Sequence, residues 1–190
     1  IGILGLNIIM LANYLKEIPR RTNSLVLHPH VKAFIGYNFI AYGLYKLTSG
    51  PTKNNFRKRF IIEPGSSMIS AVTAHLFPTD FFNMLTTSAV IYTIGNRHIW
   101  KYGTNHFWKL AILGAVGGTL LAKTASNSEY SGALASASAF ACYNAVRNPS
   151  WFWLGSFPTL IALMAYSVYY NDKAFGGGAF AGYIAFLFAL

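Results

Sequence analysis

The sequence predicts an all-α, polytopic membrane fold, and three observations lead to it. Hydrophobic residues fill 54% of the 190 positions and charged residues only 11%, against roughly 25% charged in an ordinary soluble domain. The apolar residues gather in recurrent segments with short polar breaks between them. Ten-residue stretches of alternating polar and apolar residues, the signature of a membrane β-barrel, are absent.

In chain order the apolar segments run over 1–15, 31–48, 81–95, 107–122, 131–146, 151–170 and 174–190. A helix needs about 20 residues to cross the hydrocarbon layer, so the shorter segments reach across only with tilt, snorkelling lysines and interfacial aromatics. Lys32, Lys46, Lys109 and Lys123 stand at segment ends, and Trp100, Trp108, Trp151 and Trp153 fall near the expected interfaces. Lys and Arg divide almost evenly between the two sides, so the loops set no orientation. The longest break, 49–80, interleaves basic and aromatic residues as Phe56-Arg57-Lys58-Arg59-Phe60. That pattern suits a loop half-sunk in headgroups, with a solvated linker as the rival reading.

Lys and Arg number 15 against 5 Asp and Glu, for a formal charge of +10. An excess of cations suits anionic headgroups, each basic residue near the surface contributing about 1 kcal/mol. Lipids are therefore expected partners, with cardiolipin at Arg57, Lys58 and Arg59 as the specific case; the apolar runs are not explained by a nucleic-acid partner. No acidic residue lies within a span, which disfavours transport of protons or ions. Cys142 is the single cysteine, so no intrachain disulfide forms. The chain opens at Ile1 and closes in an apolar run, the expected look of a trimmed or processed sequence.

Three stretches carry a family resemblance. The first is Ala74-His75-Leu76-Phe77-Pro78-Thr79-Asp80-Phe81-Phe82-Asn83-Met84, the second Ser131-Gly132-Ala133-Leu134, and the third Ala174-Phe175-Gly176-Gly177-Gly178-Ala179-Phe180-Ala181-Gly182. In order and position they resemble the motifs of the rhomboid intramembrane proteases: a Ser-His segment followed by His-x-x-x-Asn-Met, a Gly-x-Ser-Gly, and an Ala-His-x-Gly-Gly-Ala-x-x-Gly. The resemblance runs from about Val31 to the C-terminus. The extra segment at 1–15 and the loop ending Glu63-Pro64-Gly65-Ser66 are most similar to the mitochondrial presenilin-associated rhomboid-like branch. The resemblance implies a six-helix rhomboid-like core over 31–190, preceded by an extra membrane helix and basic loop over 1–30.

The departures bear on chemistry. Rhomboid catalysis, as the resemblance implies it, uses a serine made nucleophilic by a histidine, with an Asn and a second His holding the oxyanion. A serine hydroxyl needs such a base. Here Phe175 occupies the position of the histidine, Thr79 replaces the supporting His, and Asn83 is kept. The nucleophile position falls on Ser131 in one register and on Leu134 in another, and the sequence leaves both open. Lys173, two residues before Phe175, reads as a snorkelling lysine before it reads as a substitute base. The catalytic dyad is thus expected to be vestigial and the chain to be no enzyme.

The packing elements of the motifs remain. Gly178 and Gly182 form Gly-x-x-x-Gly, and Gly132 opens a span that is almost wholly Ala and Ser. Small residues let backbones approach closely, so the fourth and sixth core helices are expected to pair, with Gly114, Gly117 and Gly118 serving the same packing. Ser136 and Ser138 are expected to bond the carbonyl a turn back. His28-Pro29-His30 lacks a third metal ligand; no metal or cofactor is expected. The resulting expectation is a non-catalytic, rhomboid-like scaffolding subunit of an inner-mitochondrial-membrane assembly, such as a respiratory complex, an ATP synthase or a translocase. Its rivals are a degenerate but active protease using Ser131, and a lipid- or substrate-handling binding protein.

Overall fold

The computed structural model describes residues 26–62, 70, 73–124, 130–149, 155–170 and 173–188. The expected helix over 1–15, Glu63 to Ser66, Glu129 and Trp151 to Trp153 lie outside them. Among the described residues the fold is all-helical, with a single isolated bridge between Ile62 and Tyr130.

Helix α1 spans Pro29–Leu47. Pro29 starts it at a position where a missing N–H costs nothing, and the His28 ring accepts from the His30 N–H. Helix α2, Gly50–Phe60, occupies the segment expected to be a loop. Pro51 again lies in the first turn, and the i, i+4 pair Phe56 and Phe60 gives the short helix one aromatic face. That face meets Phe77 with ring centroids at 4.9 and 4.2 Å, and Phe56 meets Tyr45 at 5.6 Å. Arg57, Lys58 and Arg59 sit in the last turn of α2, where cations suit the carbonyl end of a helix.

A short 3-10 turn, Ala74–Leu76, leads into α3, Phe81–Val90. The Asp80 carboxylate caps α3 by accepting from the Asn83 N–H at 2.8 Å. From α3 the chain passes through a π-helical turn, Ile91–Gly95, into α4, Asn96–Tyr102. Gly103 then turns the chain sharply with φ 86° and ψ 169°, a region that is essentially glycine's alone. Helix α5, Thr104–Thr124, follows at once. The remaining helices are α6, Leu134–Arg147, α7, Ser156–Tyr170, and α8, Ala174–Leu187.

Helices α5, α6 and α8 pack against one another as a triangle, and α6 also touches α3, the π turn and α7. Helix α6 is therefore the axis of the molecule. Eleven of its 14 residues are buried, with an unbroken run from Leu134 to Ala141. A helix enclosed on all sides must be apolar or small all round, and LASASAFA meets that demand with minimal volume. The closest seam lies where glycines face the α6 backbone. A Cβ on Gly178 would strike the Ala135 carbonyl and the Ser138 hydroxyl, and one on Gly182 would come within 2.9 Å of the Ala139 Cα. Gly114 is as tight against α6, at 2.8 Å from the Ser136 Cα, and Gly117 and Gly177 bring α5 and α8 backbone to backbone. Cross-helix hydroxyl bonds tie the triangle further. Ser136 donates to the Ala111 carbonyl of α5 at 2.8 Å, and Ser138 donates to Phe175 of α8 at 3.0 Å as well as to Ala135. Ser136 thus bonds a neighbouring helix, where a bond to its own helix was expected.

The membrane expectation does not survive this structure. Among the described residues no helix is long and apolar enough to cross a membrane, which overturns the polytopic fold class and the integral, inner-mitochondrial-membrane localisation built on it. The physical reason is visible helix by helix. Helices α6 and α8 have 14 residues each and α7 has 15, short of the ~20 that span hydrocarbon. The longer α1 and α5 carry Lys32 and Lys46, and His106, Lys109 and Lys123, within their limits. Much of the apolar content goes into internal contact, as α6 shows.

Candidate functional site

The polar residues of the first two motif segments meet at the N-terminal end of α6. Gly132, with φ 88°, turns the chain into that helix. Its N–H donates to the Ala74 carbonyl at 2.7 Å, and a Cβ there would lie 2.6 Å from the Asn83 Oδ1. Any side chain at this position would clash as well as strain the backbone.

On one side of Gly132 is the Ser131 group. The Ser131 Oγ accepts from the Thr79 N–H at 3.3 Å and shares a short hydrogen bond with the Thr79 hydroxyl. Asn83, buried on α3, donates through Nδ2 to the Ser131 carbonyl at 3.1 Å. Its Oδ1 accepts from Thr87 at 3.4 Å. Thr79, Asn83 and Ser131 are thus brought together, but as a knot that pins the turn before α6. Leu134, the other candidate for the nucleophile position, is wholly buried in the core. Phe175 packs its half-buried ring on the core cluster, and its carbonyl accepts from Ser138.

On the other side of Gly132 lies His75, whose weight in the site its position in the sequence does not reveal. It is buried, its Nε2 is 2.7 Å from the Thr119 hydroxyl on α5, and its Nδ1 is 3.2 Å from the Tyr130 hydroxyl. Tyr130 in turn donates to the Gly132 carbonyl and accepts from the Ala135 N–H at 3.2 Å. That N–H is one of those a helix start leaves without an intrahelical partner. A neutral imidazole with its proton on Nδ1 satisfies the set, accepting from Thr119 and donating toward Tyr130 and Gly132. Burial pushes the ring's pKa down to about 4, partly opposed by its hydrogen bond to the Gly132 backbone. The exchange of backbone bonds between Ile62 and Tyr130, at 2.8 and 3.0 Å, anchors the tyrosine in place.

Among the described residues no base is bonded to the Ser131 hydroxyl. That hydroxyl bonds to Thr79, a weak acid, and both nitrogens of His75 are committed to Thr119 and Tyr130. Among the described residues no group of three or more His, Cys, Asp or Glu is placed to hold a metal.

A second polar cluster lies at the far end of the molecule, where α4, α5 and α6 meet. His98, buried on α4, has Nε2 at 2.8 Å from the His106 Nδ1 and Nδ1 at 3.1 Å from the Asn144 amide. The rings of Tyr102, Phe140 and Tyr143 surround His98 with centroids at 4.8 to 5.3 Å. Burial and then the neighbouring His106 push the His98 pKa down to about 3. The sequence signals this cluster only weakly, because the aromatics that build it are read first as interfacial.

Comparison with protein-family models, with curated proteins and with solved structures finds no match to this chain.

Proposed function

We propose that the chain is a non-catalytic, rhomboid-like structural subunit of a multi-subunit assembly. The observation that carries the non-catalytic part is the state of Ser131: its hydroxyl is bonded to Thr79, and the position that the resemblance gives to a histidine is Phe175. A serine without a base is a weak nucleophile. A fluorophosphonate probe is therefore expected to label the wild-type chain no more than a Ser131→Ala variant. Labelling above that control returns the protease reading.

The subunit part is supported by what the helices leave uncovered. Large apolar side chains stand exposed along the outer faces: Ile40 on α1, Leu120 on α5, Val168 on α7 and Phe180 on α8. Large apolar side chains left exposed on several helices are suited to contact with other apolar surfaces. Val168 is 77% exposed, so Val168→Lys leaves the fold intact and tests the face directly. In a native extract the wild-type chain is expected to migrate in a particle larger than one chain, and Val168→Lys to shift toward the single chain. Migration of both as the single chain ends the subunit reading.

One observation favours the lipid- or substrate-handling rival. Helices α3 and α7 line an open apolar groove of about 470 Å³, with Leu85, Ala89, Val90, Pro158, Leu163 and Tyr166 among its walls. If the native particle is a single chain, this groove becomes the place to look for an apolar ligand.

A further inference from the structure

The end of the molecule built by the α4–α5 corner and the C-terminus of α6 is basic, with no counter-charge among the described residues. Arg97 and Lys101 on α4, Lys109 on α5, Arg147 on α6 and Lys32 in the first turn of α1 are all exposed there. Asp80, the single acidic residue among those described, caps α3 at the opposite end. Three of these cations flank one corner: Lys101 on α4, Lys109 on α5 and Arg147 at the end of α6. The one-residue corner at Gly103 folds α4 back on α5, so that His98 bonds His106. Lys101 reaches over the Tyr102 ring at 5.3 Å and bonds the Asn148 side chain just past α6. Asn148 is itself held, donating to the Tyr102 hydroxyl at 2.7 Å and, through its N–H, to the Asn144 carbonyl at 2.9 Å.

Lys109 lies one turn beyond His106 on α5, and Arg147 lies one turn beyond Tyr143, whose ring is 5.1 Å from that of His106; after burial, the charges of Lys109 and Arg147 lower the His106 pKa. Lys101 acts in the same direction on His98. Two imidazoles and three cations gathered at one corner of the molecule, with no carboxylate described among them, form a positive focus. Like charges held together cost free energy unless an anion joins them. Part of the cluster is held before any ligand arrives: Lys101 by Asn148 and Tyr102, and His106 by His98. A preorganised set of ammonium and guanidinium donors around a partly buried imidazole matches a tetrahedral oxyanion.

We propose that Lys101, Lys109 and Arg147, arranged around His106, form a binding site for a phosphate group, carried by a soluble phosphomonoester or by a phospholipid headgroup. Arg147 supplies a planar pair of donors to two oxygens, and the lysines supply point charges to the others. The aromatic rim continues toward α1, where His28 meets Trp100 at 5.1 Å and His30 meets Trp108 at 6.2 Å.

The test titrates the full chain with inorganic phosphate in a calorimeter, and separately sediments it with phosphatidylcholine vesicles with and without phosphatidic acid. Binding is expected in at least one arm. Free phosphate alone assigns a soluble ligand, and vesicles containing phosphatidic acid alone assign a headgroup. In the arm that binds, Lys109→Gln or Arg147→Gln is expected to weaken affinity about tenfold, the effect of losing one charge-assisted bond. Lys173→Gln, exposed at the start of α8, is expected to bind as wild type. The imidazole signals of His106 in an NMR pH titration should move to a higher pKa when the anion is present. The proposal is overturned if neither probe binds, if Lys173→Gln weakens binding as much as Lys109→Gln, or if Lys109→Gln and Arg147→Gln both bind as wild type. Binding of a polynucleotide with neither phosphate probe would also overturn it.

Discussion

Replacing Gly178 by leucine is expected to lower stability by about 3 kcal/mol or more, the upper part of the range for overpacking a core. The size follows from what the side chain meets. Even a Cβ at Gly178 would strike the Ala135 carbonyl, and backbone in an enclosed helix cannot step aside as a flexible side-chain tip can. Helix α6 is held by neighbours around it, so relief on the α8 side transfers strain to α5, where Gly114 and Gly118 leave no slack. Gly182→Leu should cost a similar amount against Ala139. Gly36→Ala supplies the contrast: nothing lies within 4 Å of its Cβ, and alanine should raise stability by about 0.5–1 kcal/mol through helix propensity. Equal denaturation midpoints for Gly178→Leu and wild type would place α8 away from α6 and refute the packed triangle.

The second large effect is on acid stability. His75 and His98 are held neutral in the fold, with pKa values pushed from 6.5 to about 4 and about 3 by burial. In the unfolded chain both titrate near 6.5, so below that pH the unfolded state takes up protons that the fold refuses. Their contribution to stability is therefore complete above pH 6.5 and declines as pH falls from 6.5 through 4 toward 3. His75 alone accounts for roughly 3 kcal/mol of that decline. Denaturation midpoints across this range should fall steeply for wild type and less steeply for His75→Gln. Midpoints that stay level from pH 6.5 to 4 would show that these rings are solvated. Tyr130→Phe probes the same network at neutral pH, since it removes the hydroxyl that serves the Ala135 N–H, the Gly132 carbonyl and His75. Leaving such groups buried and unpaired costs about 1–3 kcal/mol each.

Local signals in the chain account for much of the helical layout. The apolar runs at 31–48, 107–122 and 174–190 correspond to α1, α5 and α8 with shifts of a few residues at their ends, because apolar recurrence and flanking prolines and glycines act over a turn or two. The glycines of Gly-x-x-x-Gly and the Ala-Ser run likewise announce close helix contact through volume alone. Helix α2 was hidden by its own composition: a charged 11-residue segment reads as loop until Phe77 and Tyr45 provide the aromatic surface that Phe56 and Phe60 cover.

Residue composition and spacing thus determined that the chain is helical, where most of its helices lie, and that no histidine stands at the position of Phe175. Only the tertiary structure decided what the apolar residues are for, and it assigned many of them to an internal triangle around α6, with no described helix long and apolar enough to cross a membrane. Tertiary structure also decided the polar groups, joining His75 to Thr119 and Tyr130 across 44 and 55 residues of chain, and seating His98 among rings from three helices. The reason is the reach of the interactions. Helix propensity and periodicity are set by neighbours within one or two turns, whereas burial, hydrogen-bond partnership and the sign of a pKa shift depend on atoms that the chain brings together only when it closes on itself.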